Sequence, residues 1–98
     1  MKKEEFWKLF NEKYKNHMQA VAVCDSPLGG DCGFWQISCY QNKDGIWCTE
    51  ETIERCKYPQ HIEHATEDNA FDYFLSMVHE HSKLTEWYIR EEQRKLLS

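Results

Sequence analysis

Five cysteines and five histidines are the side chains of this 98-residue chain best able to do chemistry, and that chemistry would be metal binding or thiol catalysis. A structural zinc site usually draws its ligands in close pairs such as Cys-x2-Cys or His-x3-His, because a tight turn or one helix face must bring both to one ion. Cys24, Cys32, Cys39, Cys48 and Cys56 fall seven to nine residues apart and form no such pair. The tightest local group is Cys56, His61 and His64, which are the metal-ligand candidates. His79 and His81 are two apart, so on a helix they point about 200° from each other and cannot share an ion. The plainer reading of these histidines is surface positions beside a loop and a helix end, and no cofactor is expected.

Nucleophilic catalysis has less support. No cysteine sits in a recognisable nucleophile motif, although each could meet a histidine in space. Gly29-Gly30-Asp31-Cys32-Gly33 is glycine-rich but precedes a strand, whereas a phosphate cradle precedes a helix N-terminus. It reads as a connection between two strands. The carboxylates Glu50, Glu51, Glu54, Glu63, Glu67, Asp68 and Asp72 have polar neighbours, not the apolar pocket that separates the pKa values of an acid–base pair. As a group they would instead form an acidic surface around the hairpin end and a helix start, which speeds encounter with a basic partner. Phe34, Tyr40 and Tyr58 either extend the core or serve as exposed anchors of the kind enriched in interface hot spots.

These side chains must be positioned by elements that the hydrophobic pattern outlines. Residues 2–16 carry Phe6, Phe10 and Tyr14 at i, i+4, i+8, with Trp7 and Leu9 widening the stripe, and predict an amphipathic helix. Met18 to Cys24 is short and β-branched and predicts a strand. Gly33 to Gln41 and Ile46 onward predict a hairpin over Asn42-Lys43-Asp44-Gly45. A type I turn at Lys43-Asp44 with Gly45 left-handed would set Cys39 opposite Thr49 and Gln41 opposite Trp47. A type I′ turn at Asp44-Gly45 is the competitor, one residue out of register. Trp35, Ile37 and Cys39 share the face expected under the helices, and Phe34 and Tyr40 the other.

Residues 50–65 are ambiguous between continued strand and short helix, with a break at Lys57-Tyr58-Pro59-Gln60. Thr66 then reads as an N-cap, with Glu67 and Asp68 favourably placed against the helix dipole. Ala70, Phe71, Phe74, Leu75 and Val78 make that helix amphipathic, and Leu84 to Leu97 is helical again, either continuous with it or kinked near Ser82. The expected fold is a single α+β domain over residues 1–98. It has an N-terminal helix and a three-stranded antiparallel sheet (about 18–24, 33–41 and 46–52). One or two C-terminal helices (about 67–81 and 84–96) pack on one sheet face.

Bulk properties narrow the function classes. The aromatic share of 14% lets a chain with only 41% apolar residues build a core. Residues 1–16 carry +2 and residues 83–98 carry +1, so the middle of the chain holds −8 of a net −5. An acidic body is repelled by nucleic-acid phosphates, which disfavours a DNA or RNA binder and favours a basic protein partner. The charged start, Met1-Lys-Lys-Glu-Glu-Phe-Trp-Lys8, has no apolar run of the roughly 7–15 residues a secretory signal needs, and nothing approaches the roughly 18 apolar residues of a membrane span. A cytoplasmic protein is expected, with an odd number of cysteines kept as reduced thiols. A Cys39–Cys48 or a Cys24–Cys32 bridge stays open as an alternative.

The run Trp35-Gln-Ile, then Lys43-Asp-Gly-Ile-Trp47, Glu54-Arg55, and Thr66-Glu-Asp-Asn-Ala-Phe-Asp-Tyr-Phe-Leu75 resembles small bacterial immunity proteins of polymorphic toxin systems. The resemblance covers about residues 33–78. It departs from the pattern at Cys56, where a glycine often follows Glu-Arg, and the C-terminal helix after Lys83 has no counterpart in it. It implies a small cytoplasmic inhibitor without catalytic activity that occludes a cognate toxin, often a basic nuclease. The expected partner-binding residues are Phe34, Tyr40, Glu50, Glu51, Glu54, Tyr58, Glu63, Glu67, Asp68 and Asp72. Two alternatives are a phage or mobile-element inhibitor of a host defence protein, and a small thiol- or metal-dependent enzyme using Cys24, Cys32 or Cys56 with a nearby histidine.

Overall fold

The computed structural model describes residues 1–18, 21–28, 35–52 and 60–97; for 17, 84–89, 91, 92 and 97 it describes the backbone alone. The chain opens with α1 (Lys3–Leu9), which carries Glu4 and Glu5 in its first turn and Lys8 in its last, each favourable against the helix dipole. The helix loosens to a π turn over Phe10–Tyr14 and tightens to a 3-10 turn over Lys15–His17. Phe6 and Phe10 on its inner stripe are buried, and Trp7 and Tyr14 pack beside them.

Four strands follow in the order they occupy in the sheet: β1 (Val21–Cys24), β2 (Trp35–Gln41), β3 (Trp47–Thr52) and β4 (Gln60–His64). The expected three-stranded antiparallel sheet is therefore corrected to a four-stranded mixed one, because β1 runs parallel to β2. Strand composition carries no sign of direction. The ten residues between Cys24 and Trp35 were the signal, since a parallel return needs a long crossover and an antiparallel one does not. The last strand was missed for a different reason. Gln60-His-Ile-Glu-His64 has one apolar residue and is mostly exposed, so no alternation marks it, and it is a strand because it pairs with β3.

The hairpin between β2 and β3 takes the bulged register, with Cys39 opposite Thr49 and Gln41 opposite Trp47. Asn42 accounts for it. Its carbonyl accepts from Gly45 N at 3.0 Å, and its side-chain Oδ1 accepts from both Asp44 N and Ile46 N at 2.9 Å. Gly45 sits at φ +80°, where any side chain is strained. With this register fixed, Cys39 and Cys48 project from opposite faces of the sheet, so they cannot bridge, and both are free thiols. Cys32 lies outside the described residues.

One unbroken helix, α2 (Glu67–Leu97), closes the fold. Thr66 caps it, its Oγ1 accepting from Asn69 N at 3.1 Å. There is no break near Ser82, whose hydroxyl donates back to the His79 carbonyl at 2.9 Å and so satisfies itself within the helix. Ala70, Phe71, Phe74, Met77 and Val78 form the buried stripe. It packs with α1 on the sheet face made by Val21, Val23, Trp35, Ile37, Cys39 and Trp47. The ring of Phe6 meets Phe74 at 4.9 Å and Phe71 at 5.5 Å, joining the two helices.

Replacing Asn42 by Ala is expected to lower unfolding stability by about 1–2 kcal/mol, and Gly45→Ala by about 1 kcal/mol, in urea titrations under reducing conditions. Gly45→Asn should cost less than Gly45→Ala, because Asn tolerates the left-handed conformation. Equal losses for the two Gly45 variants would contradict this turn.

Candidate functional site

The sheet has two unlike faces, and the expected site residues divide between them. On the face away from the helices, Cys24, Ser38, Glu50 and His61 form one row across all four strands, with Tyr40, Cys48 and Glu63 in the next. Tyr40 and Glu50, expected on a partner-binding surface, are only 9% and 8% exposed. The segment after β1 crosses this face and covers them. Leu28 N donates to Glu50 Oε1 at 2.9 Å, and the Ser38 hydroxyl donates to the Ser26 carbonyl. Glu50 and Ser38 thus hold the loop to the sheet, and of the two readings its sequence left open, core or exposed anchor, Tyr40 takes the first.

Glu50 is the centre of this polar layer. Besides the Leu28 amide it accepts from His61 Nδ1 at 2.7 Å and from the Tyr40 hydroxyl. Burial alone, the strongest single influence, would raise its pKa, but those three donors together outweigh it and hold the carboxyl below its ordinary 4.5. The Tyr40 phenol is pushed up by burial and then by its bond to this carboxylate. A dyad of carboxylate and imidazole is a familiar way to activate a nucleophile, yet the nearby thiols are set against that use. Burial pushes Cys48 up, with Glu63 and Glu50 adding to it, and pushes Cys39 up to about 12. A raised thiol pKa lowers the share of thiolate, the form that attacks, and Cys39 in addition projects from the opposite sheet face.

The metal candidates are also parted. Residues 61 and 64 of a strand point to opposite faces. His61 bonds Glu50 on one, while His64 Nε2 lies 2.9 Å from Thr49 Oγ1 on the other, its pKa lowered by burial. Cys56 lies outside the described residues. Among the described residues no group of three His, Cys, Asp or Glu side chains is placed to hold a metal ion. His79 and His81 diverge as expected: His79 meets the Tyr14 hydroxyl at 3.2 Å, and His81 is buried between Trp35 and Glu51, its Nε2 lying 3.2 Å from Glu51 Oε1.

The expected acidic surface is not continuous. Glu51 is turned under α2 towards His81, Glu63 projects from the far sheet face, and Glu67, Asp68 and Asp72 lie at the start of α2. There the Met1 α-amino group sits 3.0 Å from Asp68 and 3.1 Å from Asp72, and Lys2 Nζ 3.1 Å from Asp68 and 3.8 Å from Glu67. Hydrogen bonds from these two cations hold the Asp68 carboxyl below its usual range. Phe34, Glu54, Tyr58 and the Gly29–Gly33 loop lie outside the described residues.

Two residues that sequence reasoning passed over stand out at the margin where α2 crosses β4. Ile62 is 40% exposed and Tyr73 is 42% exposed, and the Tyr73 ring leans on His64 at 5.3 Å. Tyr73 falls outside the Ala70–Phe71–Phe74–Val78 stripe, and a helical projection would have flagged it as outward-facing. It follows Asp72 in the chain but points about 100° away from it around the helix, towards β4, while Asp68 and Asp72 turn to Met1 and Lys2. Among the described residues no helix is long and apolar enough to cross a membrane.

Two measurements check this division. Glu50→Gln leaves donors without a carboxylate and should lower stability by about 1–3 kcal/mol at neutral pH. Because the folded pKa is lowered, the wild type holds this contribution in full above pH 4.5 and loses it as pH falls through the lowered value, so the variant's stability should fall less steeply below pH 4.5. In a brief iodoacetamide pulse read by peptide mass spectrometry, Cys39 and Cys48 should stay unlabelled in native protein and react in urea; native labelling of either contradicts their placement. Set against protein-family models, curated proteins and solved structures, the chain matches none.

Proposed function

We propose that this protein is a non-enzymatic inhibitor that acts by covering a surface of a partner protein, as an immunity protein covers its cognate toxin in the cytoplasm. The observation that carries the reading is Tyr73, a large aromatic left 42% exposed against β4 on the flank of a helix whose buried stripe is locked into the core, with the exposed acids Asp68 and Asp72 on another flank of the same turns. Aromatic side chains with two rotatable bonds anchor interfaces at low entropic cost, and an acidic surround steers a basic partner towards them. Met1 and Lys2 neutralise part of that acidity, so the surround works by local orientation more than by net field. The sequence resemblance over residues 33–78 agrees with this reading, and so does the burial that pushes the Cys39 and Cys48 thiols up in pKa.

Co-expression with the product of the gene encoded beside it tests the proposal. The protein should restore growth against a toxic neighbour. Tyr73→Ala with Asp72→Lys should weaken binding at least tenfold while leaving the far-ultraviolet circular dichroism unchanged. Full killing in the presence of the folded wild type would refute the function, and full protection by the double variant would refute the site.

A further inference from the structure

The outer edge of β4 is the feature that neither the core nor the partner-binding face uses. The strand lies last in the sheet, and among the described residues nothing pairs with its outer side. An edge left open is a template for another strand unless a charge, a proline or a bulge blunts it. Gln60-His-Ile-Glu-His64 contains no lysine and no proline, and its one charge, the Glu63 carboxylate, must find a partner in any pairing that uses this edge.

Which backbone groups face outward follows from the hairpin. Asn42 N donates to Ile46 O, so Ile46, Cys48 and Glu50 direct their N–H and C=O towards β2, and Trp47, Thr49 and Glu51 direct theirs towards β4. Their partners His64, Ile62 and Gln60 are then satisfied inward. His61 and Glu63 are left with N–H and C=O pointing out.

We propose that β4 pairs antiparallel with β4 of a second copy of this chain, on a two-fold axis through the Ile62 pair. This register alone lets both outward-facing residues of each strand exchange their N–H and C=O, His61 with the partner copy's Glu63 and Glu63 with its His61. Centring on His61 or Glu63 would form only one such pair, and the second choice would set two carboxylates face to face. The Ile62-centred register sets each Glu63 against an imidazole, and Gln60 against His64. Ile62 then meets its own copy at a non-hydrogen-bonded position, where side chains come closest. That buries one of the few large apolar side chains exposed in the described structure.

The pairing goes beyond the inhibitor reading, since it uses the strand edge and not the acidic helix start. It joins two sheets into one with both helix layers on the same side, because the axis is perpendicular to the sheet. The result is a bivalent presentation of Tyr73 and Asp72.

Light scattering on a size-exclusion column, run over a concentration series under reducing conditions, reads the dimer directly. The wild type should pass from monomer to dimer. Glu63→Pro removes an outward N–H that the fold does not need, and Ile62→Lys charges the seam; each should weaken dimerisation at least tenfold without loss of secondary structure. Ile62→Cys should crosslink to a dimer on mild oxidation, since Cα atoms at such a position lie about 4.5 Å apart. A wild type that stays monomeric throughout would overturn the proposal, as would dimerisation unchanged in Glu63→Pro. Either result would leave the toxin-binding reading standing.

Discussion

The contact between Phe6 and the Phe71–Phe74 pair is what the rest of the structure depends on. It is the place where α1 meets α2, and both helices lie on the same face of the sheet because their aromatic stripes converge there. Ring burial of this size contributes several kcal/mol per residue. A domain of this length has room for one such layer. The consequence is asymmetry: one sheet face receives the apolar core, and the other must be closed by whatever chain is left.

The second face solves that problem with polar chemistry. Leu28 and Ser26, from the segment after β1, are fastened down by Glu50 and Ser38. A buried carboxylate is costly unless its oxygens are satisfied, and Glu50 has an amide, an imidazole and a phenol for the purpose. What looks in isolation like catalytic equipment, a glutamate bonded to a histidine, is explained by this structural task. The same logic turns Glu51 inward to His81 on the opposite face, where it ties the sheet to α2. Acidic side chains at adjacent strand positions thus serve different layers.

How much of this was legible in the sequence follows from how local each signal is. The hairpin register was readable because Asn42 and Gly45 specify their turn without outside help. So were the helix cap at Thr66 and the aromatic stripes of both helices. The existence of β4 was not, since its residues leave almost no trace in composition, and the parallel direction of β1 showed only in the length of its connection to β2. The burial of Tyr40 and Glu50 was not legible either: alternation placed Tyr40 on the face away from the helices, and the bond from Leu28 to Glu50 shows that residues 25–28 reach this face. Tyr73 was legible in principle, as the aromatic that breaks its helix's apolar stripe.

A protein built this way has its described buried polar groups committed to holding layers together, and contact with a partner is proposed on the first turns of α2. The most direct test is to titrate the isotopically labelled protein with the purified product of the gene encoded beside it, the proposed toxin, and follow backbone amide resonances by NMR. The account predicts that the largest shifts fall on Asp68, Asp72, Tyr73 and their neighbours in the first turns of α2. Shifts concentrated instead on Ser38, Glu50 and the 25–28 segment would contradict it.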